Sequence, residues 1–143
     1  MNNIIADGQY YFTEENEWLR LERDYALVGL TNLAKKELGL IESIEIHTVG
    51  KALSENQVFG RIRTKKYLCK LIMPVRGKVL EANVMDYEKF NTTEKDFDPS
   101  EWIVKIAVSM PLKSEKLYTL EEYKSKNTER ALHLVKYFLK FGD

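Results

Sequence analysis

The residue types that most often do chemistry are sparse in this chain, and their spacing favours no catalytic or metal site. The two histidines, His47 and His133, have no cysteine or acid at ligand spacing, so we predict no metal site. The single cysteine, Cys69, has apolar neighbours and is interpreted as a packing residue. The chain has neither a glycine-rich phosphate loop nor a Gly-x-Ser-x-Gly motif. We therefore predict that the chain is not an enzyme by itself.

Two adjacent lysines, Lys65 and Lys66, are the remaining candidates for chemistry. They lie in a short polar stretch, residues 64–67, between the strand-like runs 57–63 and 68–73. Two extended runs around a short polar stretch predict a β-hairpin with the lysines at its tip.

The elements that must position this tip are mainly strands. Alternating apolar residues predict a first hairpin from residues 18–22 and 25–30, and Trp18 and Trp102 are interpreted as core anchors. A short helix is predicted from Asn32 to Leu38, capped by Thr31 and ended by Gly39. Further strands are predicted near residues 41–46, 79–82 and 102–108, with one helical turn near 87–90.

The last part of the chain has a helical pattern instead. Thr119 and Glu122 have the spacing of a capping box, and apolar residues at helical spacing follow as far as Phe138. We predict one long amphipathic helix that reaches almost to Gly142. The predicted fold class is mostly β, α+β by content: a flattened β-barrel or sandwich with peripheral helices and a long C-terminal helix.

Length and charge limit the possible functions further. The 143 residues suit one domain, and 22 bases balance 22 acids. Residues 61–78 nevertheless hold seven bases and no acid, while the rest of the chain has 15 bases and 22 acids, a net charge of −7. Aromatic residues are sparse in this basic run, so nucleic-acid binding is not predicted. We expect no signal peptide and no membrane-spanning segment, and hence a cytoplasmic protein.

Six motifs, in order along the chain, resemble the H-protein family of the glycine cleavage system. The first, Phe12–Trp18, is similar to the family pattern Tyr-Thr-x-x-His-Glu-Trp, although its Glu17 is interpreted as an ordinary strand acid. The others are Val28–Thr31 with Ala34 and Leu38–Gly39, Ile44–Ile46 with Val49–Gly50, Phe59–Gly60 with Pro74–Val79 and Asn83, Trp102–Ile106, and Leu120–Tyr123. The resemblance covers residues 12–124, preceded by a loose segment over 1–11 and followed by a helical extension over 125–143.

The resemblance implies a fold of the lipoyl- and biotinyl-carrier type and a function as a carrier rather than a catalyst. Such proteins bear lipoic acid in amide linkage on one hairpin lysine and carry an aminomethyl group between enzymes. Counting from Phe59–Gly60, the family's lipoyl lysine falls on Lys66, with Lys65 as the alternative amine. The implied partners are a glycine decarboxylase, an aminomethyltransferase, a dihydrolipoyl dehydrogenase and a lipoate-attaching enzyme.

The sequence departs from the family around this lysine. The family usually has Glu-Ser-Val-Lys-Ala, whereas this chain has Arg63-Thr64-Lys65-Lys66-Tyr67, which reverses one charge and enlarges one side chain.

Two interpretations of the neighbouring bases stay open: a solvated face, or a partner-docking surface that includes Arg61, Arg63, Tyr67 and Lys70. The alternatives to a glycine cleavage carrier are an interaction module without lipoate and a lipoate carrier for another pathway. We expect a monomer or a weak dimer.

Overall fold

Two antiparallel β-sheets form most of the computed structural model, which describes residues 9–92, 95, 97–108, 117–126 and 138–140. The strands are β1 (Tyr10–Phe12), β2 (Glu17–Glu22), β3 (Tyr25–Leu30), β4 (Ile41–Glu45), β5 (Ala52–Leu53), β6 (Val58–Thr64), β7 (Tyr67–Ile72), β8 (Gly77–Ala82), β9 (Val104–Ala107) and β10 (Phe138–Lys140). The helices are α1 (Asn32–Leu38), α2 (Tyr87–Thr92) and α3 (120–126), with one 3-10 turn, Pro99–Glu101.

The two sheets face each other as a sandwich. Sheet A has the strand order β1-β2-β3-β9-β8-β5, and sheet B has the order β10-β7-β6-β4. Among the described strands, none of sheet A pairs with one of sheet B, so the predicted flattened barrel or sandwich is a sandwich. The core between the sheets follows from strand alternation, because every second side chain of a strand points to the same face. Its buried members include Leu19, Leu21, Val28, Ile62, Leu71, Val79 and Ile106.

The predicted helix from Asn32 to Leu38 is confirmed with both of its caps. The Thr31 hydroxyl accepts a hydrogen bond from the Ala34 N–H at 3.3 Å. Gly39 ends the helix with φ at +78°, a left-handed conformation that favours glycine. Within α1, Lys35 is buried: its Nζ lies 3.0 Å from Glu101 Oε1 and 4.2 Å from the centre of the Phe90 ring. This contact joins α1 to both the 3-10 turn and α2.

Helix α2 covers the outer edge of β4. The Asn91 side chain accepts a hydrogen bond from the Ile41 N–H at 2.9 Å and donates one to the Ile41 carbonyl at 3.0 Å. The Ile44 N–H donates to the Tyr87 hydroxyl at 2.7 Å. These side chains satisfy backbone groups that would otherwise form an open sheet edge.

A second, aromatic cluster lies on the other face of sheet A. Trp18 is fully buried there, with Phe12 and Tyr123, and the rings of the last two stack at a centroid distance of 4.9 Å. Gly29 faces Trp18 across β2 and β3. A Cβ at position 29 would lie 2.4 Å from the indole ring, so only glycine fits opposite this tryptophan. Trp102 is only half-buried at the border of the cluster, so of the two predicted anchors Trp18 is the buried one.

The C-terminal helix is confirmed only at its beginning. The Thr119 N–H donates to Glu122 Oε1 at 2.9 Å and the Glu122 N–H donates to Thr119 Oγ1 at 3.2 Å, which is the predicted capping box. In the same helix, the buried Tyr123 hydroxyl bonds to Asn16 Oδ1 and lies 2.9 Å from Thr31 Oγ1. Helix α3 is thereby fastened to sheet A.

The prediction of one helix reaching almost to Gly142 is wrong at Phe138–Lys140, which form β10 and pair with β7. The open edge of β7 offers backbone hydrogen bonds that a pattern of apolar spacing does not reveal. Residues 127–137 and 141–143 of the predicted helix lie outside the described residues.

The predicted loose segment 1–11 also differs from the structure. Tyr10 and Tyr11 are not loose, since both lie in β1 and pair with β2. Tyr11 pairs with Leu19, and its side chain is buried in the core. Residues 1–8 lie outside the described residues. The division into segments at residues 12 and 124 stays a prediction.

Candidate functional site

The tip between β6 and β7 consists of two residues, Lys65 and Lys66, and both are exposed. The sequence predicts the hairpin correctly but makes its tip longer, because Thr64 and Tyr67 belong to the strands. Hairpin pairing continues from Val58 and Ile72 to Arg63 and Leu68, directly below the tip. The backbone of the two lysines is therefore supported on both sides by paired strand.

The Thr64 hydroxyl organises this tip. It accepts hydrogen bonds from the Lys66 N–H at 3.2 Å and from the Tyr67 N–H at 2.9 Å, and it lies 3.5 Å from the Tyr67 carbonyl. The two-residue hairpin turns that best match strand twist need a positive φ at the tip. Neither lysine has one. The buried Thr64 side chain instead binds the tip backbone directly.

Strand alternation anchors the hairpin below the tip. Ile62 and Leu71 point into the core between the sheets, and Ile62 faces Cys69 across the two strands. The hairpin therefore moves with the core, and only the side chains at its tip and on its outer face extend into solvent.

The predicted docking residues are divided by this geometry. Arg61, Arg63 and Lys70 are exposed on the outer face of the hairpin, whereas Tyr67 is half-buried. Arg61 and Lys70 are direct cross-strand partners, so two positive side chains stand side by side. The rest of the predicted basic run is elsewhere: Lys78 lies in β8 of sheet A, and Arg76 immediately precedes that strand.

One acid faces these bases from β4. Glu45 is the cross-strand partner of Arg61 on the side away from Lys70. A hydrogen bond from His47 Nε2, at 3.1 Å, lowers the pKa of Glu45, and the nearby Arg61 and Arg63 lower that pKa further. The Glu45 carboxylate therefore stays ionised and partly compensates the Arg61 end of the face.

Cys69, on the inner face of β7, is a packing residue as predicted. It is buried in the core, and burial, with a smaller contribution from Glu17, raises the pKa of its thiol to about 12. A thiol with so high a pKa is protonated near neutral pH and is a poor nucleophile.

Glu17 is the residue that sequence reasoning misjudged. Instead of an ordinary strand acid, it is a buried carboxyl group with 2% of its surface exposed. Burial, and then the nearby Glu15, raises its pKa well above the usual value, although a hydrogen bond from Thr13 opposes the shift. Within the part of the chain that the structure describes, its Oε2 has no hydrogen-bond partner. The signal was present in β2, since Glu17 alternates with the core residues Leu19 and Leu21.

Metal chemistry finds no support in the described ranges, where no three histidine, cysteine or acidic side chains cluster closely enough to hold an ion. In the same part of the chain, no helix combines the length and apolar character needed to cross a membrane.

Comparisons with known proteins agree with this architecture. The model of the family described as glycine cleavage H-protein matches residues 10–130. A glycine cleavage system H protein of Bacteroides thetaiotaomicron is 35% identical over 114 residues, covering 80% of this chain and 90% of the relative. One from Bacillus cytotoxicus is 33% identical over 112 residues, covering 78% and 88%.

The fold is shared with a solved structure. A crystal structure of a glycine cleavage system H protein from Mycobacterium marinum superimposes with a TM-score of 0.70 at 23% identity, over 86% of this chain and 99% of that one. The family match spans all of sheet A, every strand of sheet B except β10, the lysine-tipped hairpin and α3. The chain therefore belongs to the glycine cleavage H-protein family.

Proposed function

We propose that this chain is a lipoyl carrier of the glycine cleavage system, with lipoic acid in amide linkage on Lys66 Nζ. The chain performs no catalysis of its own and moves an aminomethyl group between partner enzymes. The observation that supports this best is the position of Lys66 at the exposed tip of a hairpin that is anchored in the core. Counting from Phe59–Gly60, the resemblance to the family puts the lipoyl lysine at this residue.

The surroundings of Lys66 fit an amide-linked arm. Its side chain is exposed and has no hydrogen-bond or ion-pair partner among the described residues. Acylation of its Nζ would therefore break no hydrogen bond or ion pair among the residues that the structure describes. When bound, the lipoyl group supplies dithiolane redox and group-transfer chemistry.

The protein's own contribution is position. Thr64 holds the backbone of the tip through the N–H groups of Lys66 and Tyr67. The Cα of Lys66 is then nearly fixed relative to the core, while its side chain can rotate in water. A tether with a fixed origin keeps its free end at a high effective concentration around the carrier. Several active sites can thus be visited in turn from one attachment point.

The proposed partners must all reach this tip. They are the glycine decarboxylase, the aminomethyltransferase, the dihydrolipoyl dehydrogenase and a lipoate-attaching enzyme. Because Lys66 protrudes between β6 and β7, a partner needs only a narrow entrance to admit the side chain, and the sandwich itself stays outside.

Intact mass spectrometry tests the attachment site. The full chain is expressed in a lipoylating host with added lipoate, together with Lys66→Arg and the matched control Lys65→Arg. We expect one lipoyl group on the wild-type chain and on Lys65→Arg, and none on Lys66→Arg. A lipoyl mass that persists in Lys66→Arg and disappears in Lys65→Arg would move the site by one residue.

Reconstitution tests the pathway. The lipoylated chain should support glycine decarboxylation and methylene transfer with the other glycine cleavage enzymes. A chain that is lipoylated but inert in this assay would instead serve another lipoate-dependent pathway. A chain that is never lipoylated would be an interaction module built on the carrier fold.

A further inference from the structure

We infer that the outer face of the β6–β7 hairpin selects partners with an acidic protein surface around the entrance that receives Lys66. This inference rests on the proposed carrier function and adds the chemistry of the partner. We call the face the hairpin base patch and define it as Arg61, Arg63, Lys65 and Lys70.

The charge of the patch is concentrated and local. All four residues are exposed: Lys65 is next to Lys66 at the tip, and Arg61, Arg63 and Lys70 lie on the two strands below it. No acid occurs between residues 61 and 78, whereas the rest of the chain is acidic. On the neighbouring strand, Glu45 is the acid directly opposite Arg61. Conversion of Lys66 into an amide would remove one positive charge, and the four bases of the patch would remain.

The patch also has a cost for folding. Arg61 and Lys70 are direct cross-strand partners on the exposed face. Like charges at such a position destabilise a sheet, because their Cβ atoms lie only about 5 Å apart. A binding partner with negative charges would offset this repulsion when it docks. Within the hairpin, Arg61 has an acid beside it only on the β4 side, where it pairs with Glu45, and not on the side of Lys70.

A protein is favoured over a nucleic acid by the composition of the face. Proteins that bind single-stranded nucleic acid combine basic grooves with several stacking aromatic rings. Between Arg61 and Lys70 the sequence has one aromatic residue, Tyr67, and it is half-buried. Complementary charge on a protein partner steers association and excludes partners of the wrong sign.

The test measures association with the glycine decarboxylase encoded in the same genome, by surface plasmon resonance on the full chain with and without lipoate. Between about 20 and 200 mM salt, the wild-type association rate should fall steeply. Arg63→Glu with Lys70→Glu should slow association about 10-fold or more at low salt and remove most of the salt dependence. The matched control, Arg76→Glu with Lys78→Glu, makes the same change in net charge outside the hairpin and should have less than about a 3-fold effect.

Stability provides an independent measurement. Lys70→Glu replaces the repulsion with Arg61 by an attraction and should raise the thermal midpoint by about 1–3 °C, although it weakens docking. If the double reversal does not fold, Arg63→Gln with Lys70→Gln removes the charges without reversing them. That variant should slow association about 3-fold or more.

Three results would overturn the inference. The first is equal association rates for the patch and control variants, and the second is a wild-type association rate that does not change with salt concentration. The third is tighter binding of a DNA duplex than of the decarboxylase. Intact mass separates this failure from failure of the carrier function. A lipoylated chain that docks without regard to charge contradicts only the acidic-partner inference. A chain that never acquires lipoate contradicts the carrier function itself.

Discussion

Replacement of Thr64 by valine tests whether its hydroxyl organises the lysine tip. Valine keeps the branched shape and removes the acceptor of two hydrogen bonds, those from the Lys66 and Tyr67 N–H groups. Each such bond contributes about 0.5–1.5 kcal/mol net, and water can reach the freed groups at this exposed tip. We therefore expect the free energy of unfolding to fall by about 1–2 kcal/mol. For a chain of this size, that lowers the thermal midpoint by roughly 3–6 °C.

Amide hydrogen exchange locates the effect. In Thr64→Val, the amides of residues 66 and 67 should exchange about 10-fold faster or more, because their acceptor is gone. Thr64→Ser is the matched control: it keeps the hydroxyl and loses only a methyl group, so these two amides should stay protected. A looser tip should also lower kcat/KM for enzymatic lipoylation in the valine variant and leave the serine variant close to wild type.

Either of two exchange results would refute this role of the Thr64 hydroxyl. If Thr64→Val exchanges the two amides at the wild-type rate, the hydroxyl does not hold the tip. Equally raised exchange in both variants would also refute this role, because Thr64→Ser keeps the hydroxyl and should keep both amides protected. Lipoylation kinetics alone cannot replace this measurement, since a change in KM could also arise from the modifying enzyme.

Three further predictions concern the framework that supports the hairpin. Because the pKa of Glu17 is raised in the folded chain, the unfolded chain loses this proton at a lower pH than the folded chain does. The free energy of unfolding should therefore fall as pH rises above the ordinary glutamate pKa. The slope should reach about 1.4 kcal/mol per pH unit until the folded carboxyl group also ionises. In urea unfolding, the Glu17→Gln variant should not show this fall in the free energy of unfolding. If wild type and variant differ in that free energy by the same amount at pH 5 and pH 7, the prediction is wrong. Gly29→Ala should lower the free energy of unfolding by about 1–3 kcal/mol or more, because the new Cβ would lie 2.4 Å from the Trp18 ring. The near-ultraviolet circular dichroism of the indole should also change. Gly50→Ala, which meets nothing within 4 Å and carries only the strain of a positive φ, should cost about 1 kcal/mol; equal losses would refute the steric argument. Tyr123→Phe removes the buried hydroxyl that joins α3 to Asn16, just before β2, and to Thr31, the cap of α1. It should lower the free energy of unfolding by about 1–3 kcal/mol in urea titrations, and an unchanged value would show that these bonds are not needed.

Local sequence signals were reliable wherever the determining groups are neighbours in the chain. The caps of α1 depend on Thr31 and Gly39, and the start of α3 depends on the pair Thr119 and Glu122, so each could be predicted and is confirmed. The central hairpin followed from two extended runs around a polar tip. Its exact tip could not be predicted, because the Thr64 hydroxyl replaces a turn type that a sequence signature would reveal.

Contacts distant in the chain were not predictable in the same way. The pairing of Lys35 with Glu101 and the covering of β4 by Asn91 join residues far apart in sequence, and neither has a local signature. The C-terminal segment illustrates the limit most clearly. Its apolar spacing is compatible with a helix, but at Phe138–Lys140 the unpaired edge of β7 supplies hydrogen bonds that favour a strand.

The sequence by itself determined the strand-rich class, the lysine tip and the family, because alternation, caps and ordered motifs are properties of neighbouring residues. Only the tertiary structure decided which charges are buried and which share a surface. It encloses Glu17 between two sheets and separates Arg76 and Lys78 from the hairpin bases. The physical reason is that periodicity fixes which side chains share a face of one strand, whereas burial depends on what the rest of the chain packs against that face.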